Sequence, residues 1–197
     1  MTVRIPWSSG RWTSPPSEFT EVGDDLDVTC APYSDAWRTT SYGFVHDTEN
    51  ALVAPFVHGS AVEVVFTADF SEQFDQAGLF LVAGPETWVK AGVELSDGML
   101  QLGAVVTHGV SDWSVSPVPE WRGERVRVRA SWSEDAVTVR AGLDGGDVRF
   151  VRVLPWRPDL VTEAGPLACS PTRGVEARLT VRFHEWSTEP ADTSLHP

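Results

Sequence analysis

Short alternating segments, separated by turn residues, constrain the fold of this chain more than any other feature. They are rich in β-branched and aromatic residues. Several alternate with the period of two that is typical of strands, and AGLFLVA is apolar on both faces, as a central strand would be. The segments are AVEVVFTADF (61–70), AGLFLVA (77–83), WVKAGVEL (88–95), MLQLGAVVTH (99–108), RVRVRASW (125–132), AVTVRAGL (136–143), DVRFVRVL (147–154) and VEARLTVRF (175–183). We therefore predict an all-β sandwich or barrel, with residues 61–108 forming a meander of four antiparallel strands.

The length of 197 residues suits one domain with a sizeable core. We expect a single sandwich over residues 1–197, ordered from about residue 5 to residue 186 and followed by a frayed polar tail. A weak helical pattern is confined to residues 155–165.

Charge and cysteine content limit the possible partners and the compartment. A net charge of −13 and a pI near 4.7 argue against a nucleic-acid partner, which requires a basic surface. No apolar run approaches the ~20 residues that cross a bilayer, and the N-terminus lacks the apolar stretch of a secretory signal. We expect a cytoplasmic protein without a membrane partner, in which Cys30 and Cys169 are buried thiols, although a disulfide between them stays open.

One strand, WVKAGVEL, carries the only lysine of the chain. Alternation puts Trp88, Lys90 and Glu94 on one face and the apolar residues on the other, which belongs in a core. The polar face suits a sugar-binding floor, a catalytic carboxylate with its neighbours, or a solvated strand. Lys90 would pair with Glu94 along the strand or donate to a ligand.

Further aromatic residues lie in polar, loop-like segments rather than in core patterns. Trp37, Tyr42 and Trp113 are of this kind, and Arg38 beside them can donate to hydroxyl groups. Indole rings stack on the apolar faces of sugars with little loss of rotamer entropy. We predict a groove for a carbohydrate or other small polar ligand, built from Trp37, Arg38, Tyr42, Trp88, Lys90, Glu94 and Trp113.

A catalytic function would require a pair of carboxylates. Asp75 and Glu94 are the candidates, since glycosidases use two acids ~5–9.5 Å apart. The tight E-x-D-x-(x)-E pattern of concanavalin-like glucanases does not occur in this chain. The spacing of the histidines and cysteines is not that of a metal site either, and we expect neither metal nor cofactor.

Arginines alternate along two later predicted strands. One strand carries Arg125, Arg127 and Arg129, and the other carries Arg178 and Arg182. If the strands are neighbours, a basic stripe crosses an acidic protein. Such a stripe is a solvated face with acidic cross-strand partners, or a docking surface for an acidic protein.

Several motifs resemble one family in order along the chain. They are SDAWRTTSYGF (34–44), DQAGLFLV (75–82), WVKAGVEL with the following DG (88–98), VVTHGVSDWS (106–114) and CSP (169–171). They are similar to the bacterial and fungal domains related to the yeast regulation-of-enolase protein, domain-of-unknown-function family 1349. The resemblance implies a concanavalin A-like jelly roll of two antiparallel sheets, one of them concave, but it implies no chemistry.

Three functional hypotheses therefore stand. The first is non-catalytic binding of a carbohydrate or small polar ligand in the groove. The second, suggested by the resemblance, is a regulatory domain that binds a protein partner. The third is an enzyme that acts on glycosides.

Overall fold

The computed structural model describes residues 1–195, which form seventeen strands and two short 3-10 helices, Trp7–Ser9 and Pro119–Trp121. The strands up to residue 84 are β1 (Val3–Arg4), β2 (Arg11–Trp12), β3 (Glu18–Val22), β4 (Asp25–Thr29), β5 (Ala36–Arg38), β6 (Val45–Asp47), β7 (Asn50–Phe56), β8 (Ser60–Ala68) and β9 (Gln76–Gly84). They are followed by β10 (Thr87–Ser96), β11 (Met99–His108), β12 (Val110–Pro117), β13 (Val126–Ser133), β14 (Ala136–Leu143), β15 (Arg149–Pro155), β16 (Thr162–Cys169) and β17 (Thr180–Pro190).

Two large sheets contain nearly all of these strands. Sheet I has the order β15-β14-β13-β8-β17-β4-β3, with β1 also paired to β17, and sheet II has the order β12-β11-β10-β9-β16-β7-β2. Every pairing is antiparallel, and β5 and β6 form a separate hairpin. The predicted fold class, a jelly-roll sandwich of two antiparallel sheets, is confirmed.

The predicted four-stranded meander over residues 61–108 is wrong at its first strand. Strands β9, β10 and β11 are consecutive neighbours, and β12 continues them. Strand β8 instead pairs with β13 and β17 in sheet I. The segment between β8 and β9 crosses from one sheet to the other, and its Phe70 is buried in the core between them. Alternation marks a strand but does not say which sheet it joins.

Two further expectations near the C-terminus are corrected. The segment 155–165 is not helical, because Pro155 and Pro158 interrupt any helix and β16 begins at Thr162. The chain does not fray after residue 186, since β17 continues to Pro190 and pairs with β8. Asp192 follows and forms ion pairs with two arginines of sheet I. Residues 196 and 197 of the expected tail lie outside the described range.

The core lies between the two sheets and follows from the alternation. Val89, Ala91, Val93 and Leu95 of β10 are all buried in it, as the pattern predicts. Burial of such a side chain contributes roughly 1.5–3 kcal/mol for each larger aliphatic residue. The other face of sheet II is partly covered by the β5–β6 hairpin, whose Trp37 joins a second buried cluster there. The part left uncovered forms the groove described below.

The predicted arginine stripe is balanced by carboxylates. Strands β13 and β17 are not neighbours, because β8 lies between them and brings Glu63 within 4.0 Å of Arg127 and Arg129. Arg182 of β17 donates to both carboxylate oxygens of Asp27 at 2.6 Å. This arrangement favours the solvated face with acidic partners over a docking surface. Arg178, predicted on the same strand as Arg182, instead precedes β17 and donates to the Val175 carbonyl.

The cysteines are buried and free, as expected for thiols. Burial raises the pKa of Cys30 to about 12 and raises that of Cys169 as well, so both stay protonated near neutral pH. Among residues 1–195, no helix has the length and apolar character needed to cross a membrane.

Candidate functional site

A groove of about 530 Å³ opens on the outer face of sheet II, beside the β5–β6 hairpin. Its walls are mainly aromatic and its floor is polar. The lining residues are Tyr33, Asp35, Trp37, Tyr42, Phe44, His46, Phe74, Gln76, Lys90, Glu94, Val105, Trp113, Pro171 and Thr172.

One wall is a chain of rings supplied by the hairpin. Trp37 meets Tyr42 edge to face, Tyr42 stacks on Phe44 with an interplanar angle of 10°, and Phe44 meets the ring of His46 at 4.6 Å. Trp37 is buried beneath the others, and its indole N–H donates to the Thr40 carbonyl. Tyr42 and Phe44 therefore form a ring surface that is half exposed to the groove.

Three further aromatic lining residues come from separate parts of the chain. Tyr33 and Phe74 both have left-handed backbones, with φ of 57° and 66°. Aromatic residues rarely adopt this conformation, which costs of order 1–3 kcal/mol, and such residues concentrate at functional sites. Trp113 of β12 lies opposite Val105 of β11 and leaves 37% of its surface exposed.

A buried ion pair joins Lys90 of β10 to Asp35, just before the hairpin. The Lys90 Nζ lies 2.6 Å from Oδ1 of Asp35, which also accepts from the Ala36 amide. Burial alone would lower the pKa of Lys90, but the Asp35 carboxylate and weaker neighbours outweigh it and raise that pKa. Lys90 is therefore charged and committed to Asp35, so the expected pairing with Glu94 does not form.

Glu94 is the chemically unusual group of the floor. Burial raises the pKa of its carboxyl to about 7, against a smaller lowering by Lys90. Its Oε1 is buried and has no hydrogen-bond partner within the described chain. The same holds for Oε1 of Gln101, which faces Glu94 directly across the β10–β11 pair.

Glycines deepen the floor next to these acceptors. Gly78, Gly92 and Gly103 lie side by side on β9, β10 and β11. A Cβ on Gly92 would come within 2.1 Å of the Ala77 carbonyl oxygen, so only glycine allows the strands to approach this closely. A small cavity of about 20 Å³ lies here, and Glu94, Lys90 and Trp113 line it as well as the larger groove.

Five of the seven residues predicted for ligand binding meet in the groove, namely Trp37, Tyr42, Lys90, Glu94 and Trp113. Trp88 shares their face of the strand but is buried against Phe80 and lines a separate depression. Arg38 also lies outside, since its guanidinium binds Glu86 at 2.6 Å and the Gly109 carbonyl. It attaches the hairpin to the β11–β12 turn.

Asp75, the other candidate for catalysis, does not line the groove. Its carboxylate is fully buried and accepts two hydrogen bonds from Arg173, at 2.7 and 2.5 Å. The backbone amides of Ser71 and Glu72 donate to the same carboxylate. The carboxylate of Asp75 is therefore fully engaged and is not paired with Glu94.

Sequence reasoning missed several lining residues. Gln76 and Gln101 lie on the outward faces of their strands, so alternation could have indicated them once the strand register was known. Tyr33 and Phe74 belong to loops whose left-handed backbone has no sequence signal outside glycine and asparagine. Among residues 1–195, no cluster of three or more histidine, cysteine or acidic side chains could hold a metal ion.

Comparisons with known proteins agree with the fold. The chain is 30% identical to "Regulation of enolase protein 1" of Saccharomyces cerevisiae over 96% of its own length and 94% of that protein. A crystal structure of a functionally unknown protein from Saccharomyces cerevisiae matches with a TM-score of 0.88 and 28% identity, covering 95% of this chain and 100% of the other. The alginate lyase of Klebsiella pneumoniae shares the fold, with a TM-score of 0.62 at 9% identity over 97% and 98% of the two chains.

The sequence profile of one family covers most of the chain. It matches residues 12–191 and is described as protein of unknown function (DUF1349). The resemblance drawn from the sequence motifs is thereby confirmed. The chain belongs to the DUF1349 family.

Proposed function

We propose that this protein binds a small ligand with a flat apolar face, in the first place a carbohydrate, without catalysing its conversion. The observation that carries the proposal is the groove beside the hairpin. Its volume of about 530 Å³ falls within the range of ligand sites, roughly 300–1,000 Å³. Aromatic walls above a few polar groups are the usual composition of such sites.

Catalysis receives less support from the same groove. A glycosidase requires one carboxyl group to donate a proton and a second to act as base or nucleophile. Among the described residues that line the groove, the carboxylates are those of Asp35 and Glu94. Asp35 is already held by Lys90 at 2.6 Å. Among these lining residues, Glu94 therefore has no second free carboxylate to work with, so the groove supports ligand binding better than glycoside hydrolysis.

The first test is a glycan-array screen of the purified protein beside two variants. Trp113→Ala removes an exposed indole from the rim, and Phe19→Ala removes an exposed ring of β3, at the far edge of sheet I. We expect saturable binding that is lost in Trp113→Ala and kept in Phe19→Ala. No binding on the array, or equal binding by both variants, would contradict the proposal.

A second candidate is a regulatory domain that binds a protein. It is favoured by the similarity to the yeast protein whose name is "Regulation of enolase protein 1", which extends over nearly the whole of both chains. Surface plasmon resonance with purified enolase tests it directly. Binding of enolase that survives Trp113→Ala would support this candidate over the ligand groove.

We also propose a cytoplasmic location for the protein. The buried free thiols of Cys30 and Cys169 are compatible with a reducing compartment. Subcellular fractionation of the source cells tests the proposal, and recovery of the protein outside the cytoplasm would contradict it.

A further inference from the structure

The floor of the groove holds two hydrogen-bond acceptors that the described chain leaves unused. Oε1 of Glu94 and Oε1 of Gln101 are both buried and face each other across β10 and β11. Most buried polar atoms in proteins are paired, and an unpaired one costs about 1–3 kcal/mol. A donor from outside the chain would satisfy both oxygens at once.

The space beside these oxygens fits one small group. The cavity of about 20 Å³ there exceeds the ~10–15 Å³ that holds a single water-sized group. It exists because Gly92 and Gly103 carry no side chain on the floor. Trp113 lines both this cavity and the large groove, so a group in the cavity can belong to a ligand that stacks on the indole.

Charge favours an ammonium over a hydroxyl in this position. Lys90 is paired with Asp35 and acts on Glu94 only as a weaker, more distant charge, so the Glu94 carboxylate forms no ion pair within residues 1–195. An ammonium has three donors and neutralises a buried carboxylate, whereas a hydroxyl has one donor and no charge. The ring of Trp113, which lines this cavity, attracts a cation through its face.

We infer that Glu94 and Gln101 form a subsite for the protonated primary amine of a ligand whose ring stacks on Trp113. The inference rests on the proposed carbohydrate function and specifies its ligand as an amino sugar. Glu94 and Gln101 accept the amine's hydrogen bonds, and the Lys90–Asp35 pair fixes the neighbouring floor.

Isothermal titration calorimetry near neutral pH tests this with three matched trisaccharides. They are the β-1,4-linked glucosamine trimer, its fully N-acetylated form and the neutral glucose trimer. We expect the glucosamine trimer to bind at least about tenfold more tightly than the other two, a difference typical of one charge-assisted contact. Glu94→Gln, which keeps the shape and removes the charge, should reduce the preference to threefold or less.

The control variant is Glu21→Gln, an exposed carboxyl on β3 of sheet I that leaves the groove untouched. It should keep the full preference. A thermal melt of each variant verifies its fold, and Gln101→Leu serves as a second change in the subsite, with the same loss of preference expected. If Gln101→Leu lowers stability but leaves binding unchanged, the amide donates to Glu94 internally and the inference fails.

The remaining outcomes separate this inference from the proposed function. Equal binding of all three trimers upholds carbohydrate binding and overturns the amine subsite. Binding of benzylamine that depends on Glu94, with no sugar bound, upholds the amine subsite and overturns the carbohydrate function. Failure of every probe overturns both.

Discussion

Two buried charge clusters lie near neighbouring strand ends of this sandwich, and they differ in how completely they are satisfied. In the first, Asp75 accepts two hydrogen bonds from Arg173 and two from backbone amides. In the second, Lys90 is balanced by Asp35, but Glu94 beside them has an oxygen with no partner in the described chain. The complete cluster has its hydrogen bonds satisfied within the fold, and the incomplete one retains a free acceptor, which we propose is used by a ligand.

The largest effect is expected from breaking the complete cluster. Asp75→Ala leaves the guanidinium of Arg173 buried without its carboxylate, which should lower the free energy of unfolding by about 3–5 kcal/mol. Urea denaturation measures it. Asp69→Ala, an exposed carboxyl nearby in the chain, should stay within about 0.5 kcal/mol of the parent. If the two variants lost similar stability, the contrast between the clusters would be lost.

The pH dependence of stability should come from the incomplete cluster. Burial holds the pKa of Glu94 at about 7, above its ordinary value of 4.5, so the folded state retains this proton longer than the unfolded state. The contribution of the Glu94 carboxyl to the free energy of unfolding is therefore complete below about pH 4.5 and is lost as the pH rises to about 7. The total loss is on the order of 3 kcal/mol.

Denaturation of the parent and Glu94→Gln at several pH values isolates this contribution. The difference between the two proteins should change over the interval between the two pKa values and level off above it. A difference that is constant with pH would mean that the Glu94 carboxyl has an ordinary pKa.

A smaller loss is expected from Lys90→Met. The variant keeps the apolar stem and removes the ammonium. Asp35 is then left with the Ala36 amide, a long hydrogen bond from Gln76 and partial contact with water, since its side chain is 15% exposed. We expect a loss of about 1–3 kcal/mol in urea denaturation. The double variant Lys90→Met with Asp35→Asn should recover part of it, because no unpaired charge remains. No recovery would show that the two residues are not energetically coupled.

The smallest effect on stability is expected at the groove rim. Trp113→Ala removes a ring that is 37% exposed, so the free energy of unfolding should fall by about 1–2 kcal/mol, similar to Phe19→Ala. Thermal melts of the two variants measure this. A large loss for Trp113→Ala alone would mean that the indole serves the fold rather than a ligand.

The sequence predicted the strands of the sandwich and part of the groove because alternation decides which side chains face outward. It therefore put Lys90 and Glu94 on one face correctly. Their partners depend on register and on loop paths. Asp35 lies 55 residues before Lys90, and Gln101 faces Glu94 only through the β10–β11 pairing.

Asp75 shows the same limit of sequence reasoning, because here the sequence suggested a site residue whose side chain is directed away from the groove. It lies beside Gln76, which lines the groove, yet its own carboxylate is directed to Arg173 of a distant loop. The hydrophobic pattern around it is compatible with either face, because Asp75 precedes the first residue of β9. Only the folded contacts distinguish a stabilising carboxylate from one that is available to a ligand.

The left-handed backbones of Tyr33 and Phe74 have a consequence for the kinetics of binding. The main-chain conformation fixes the direction of the Cα–Cβ bond at each residue, so the backbone beneath both rings is in place before a ligand arrives. Association then needs no rearrangement of the backbone at these two residues. Differences in affinity among ligands should therefore arise mainly in their dissociation rates, and the groove should discriminate by residence time.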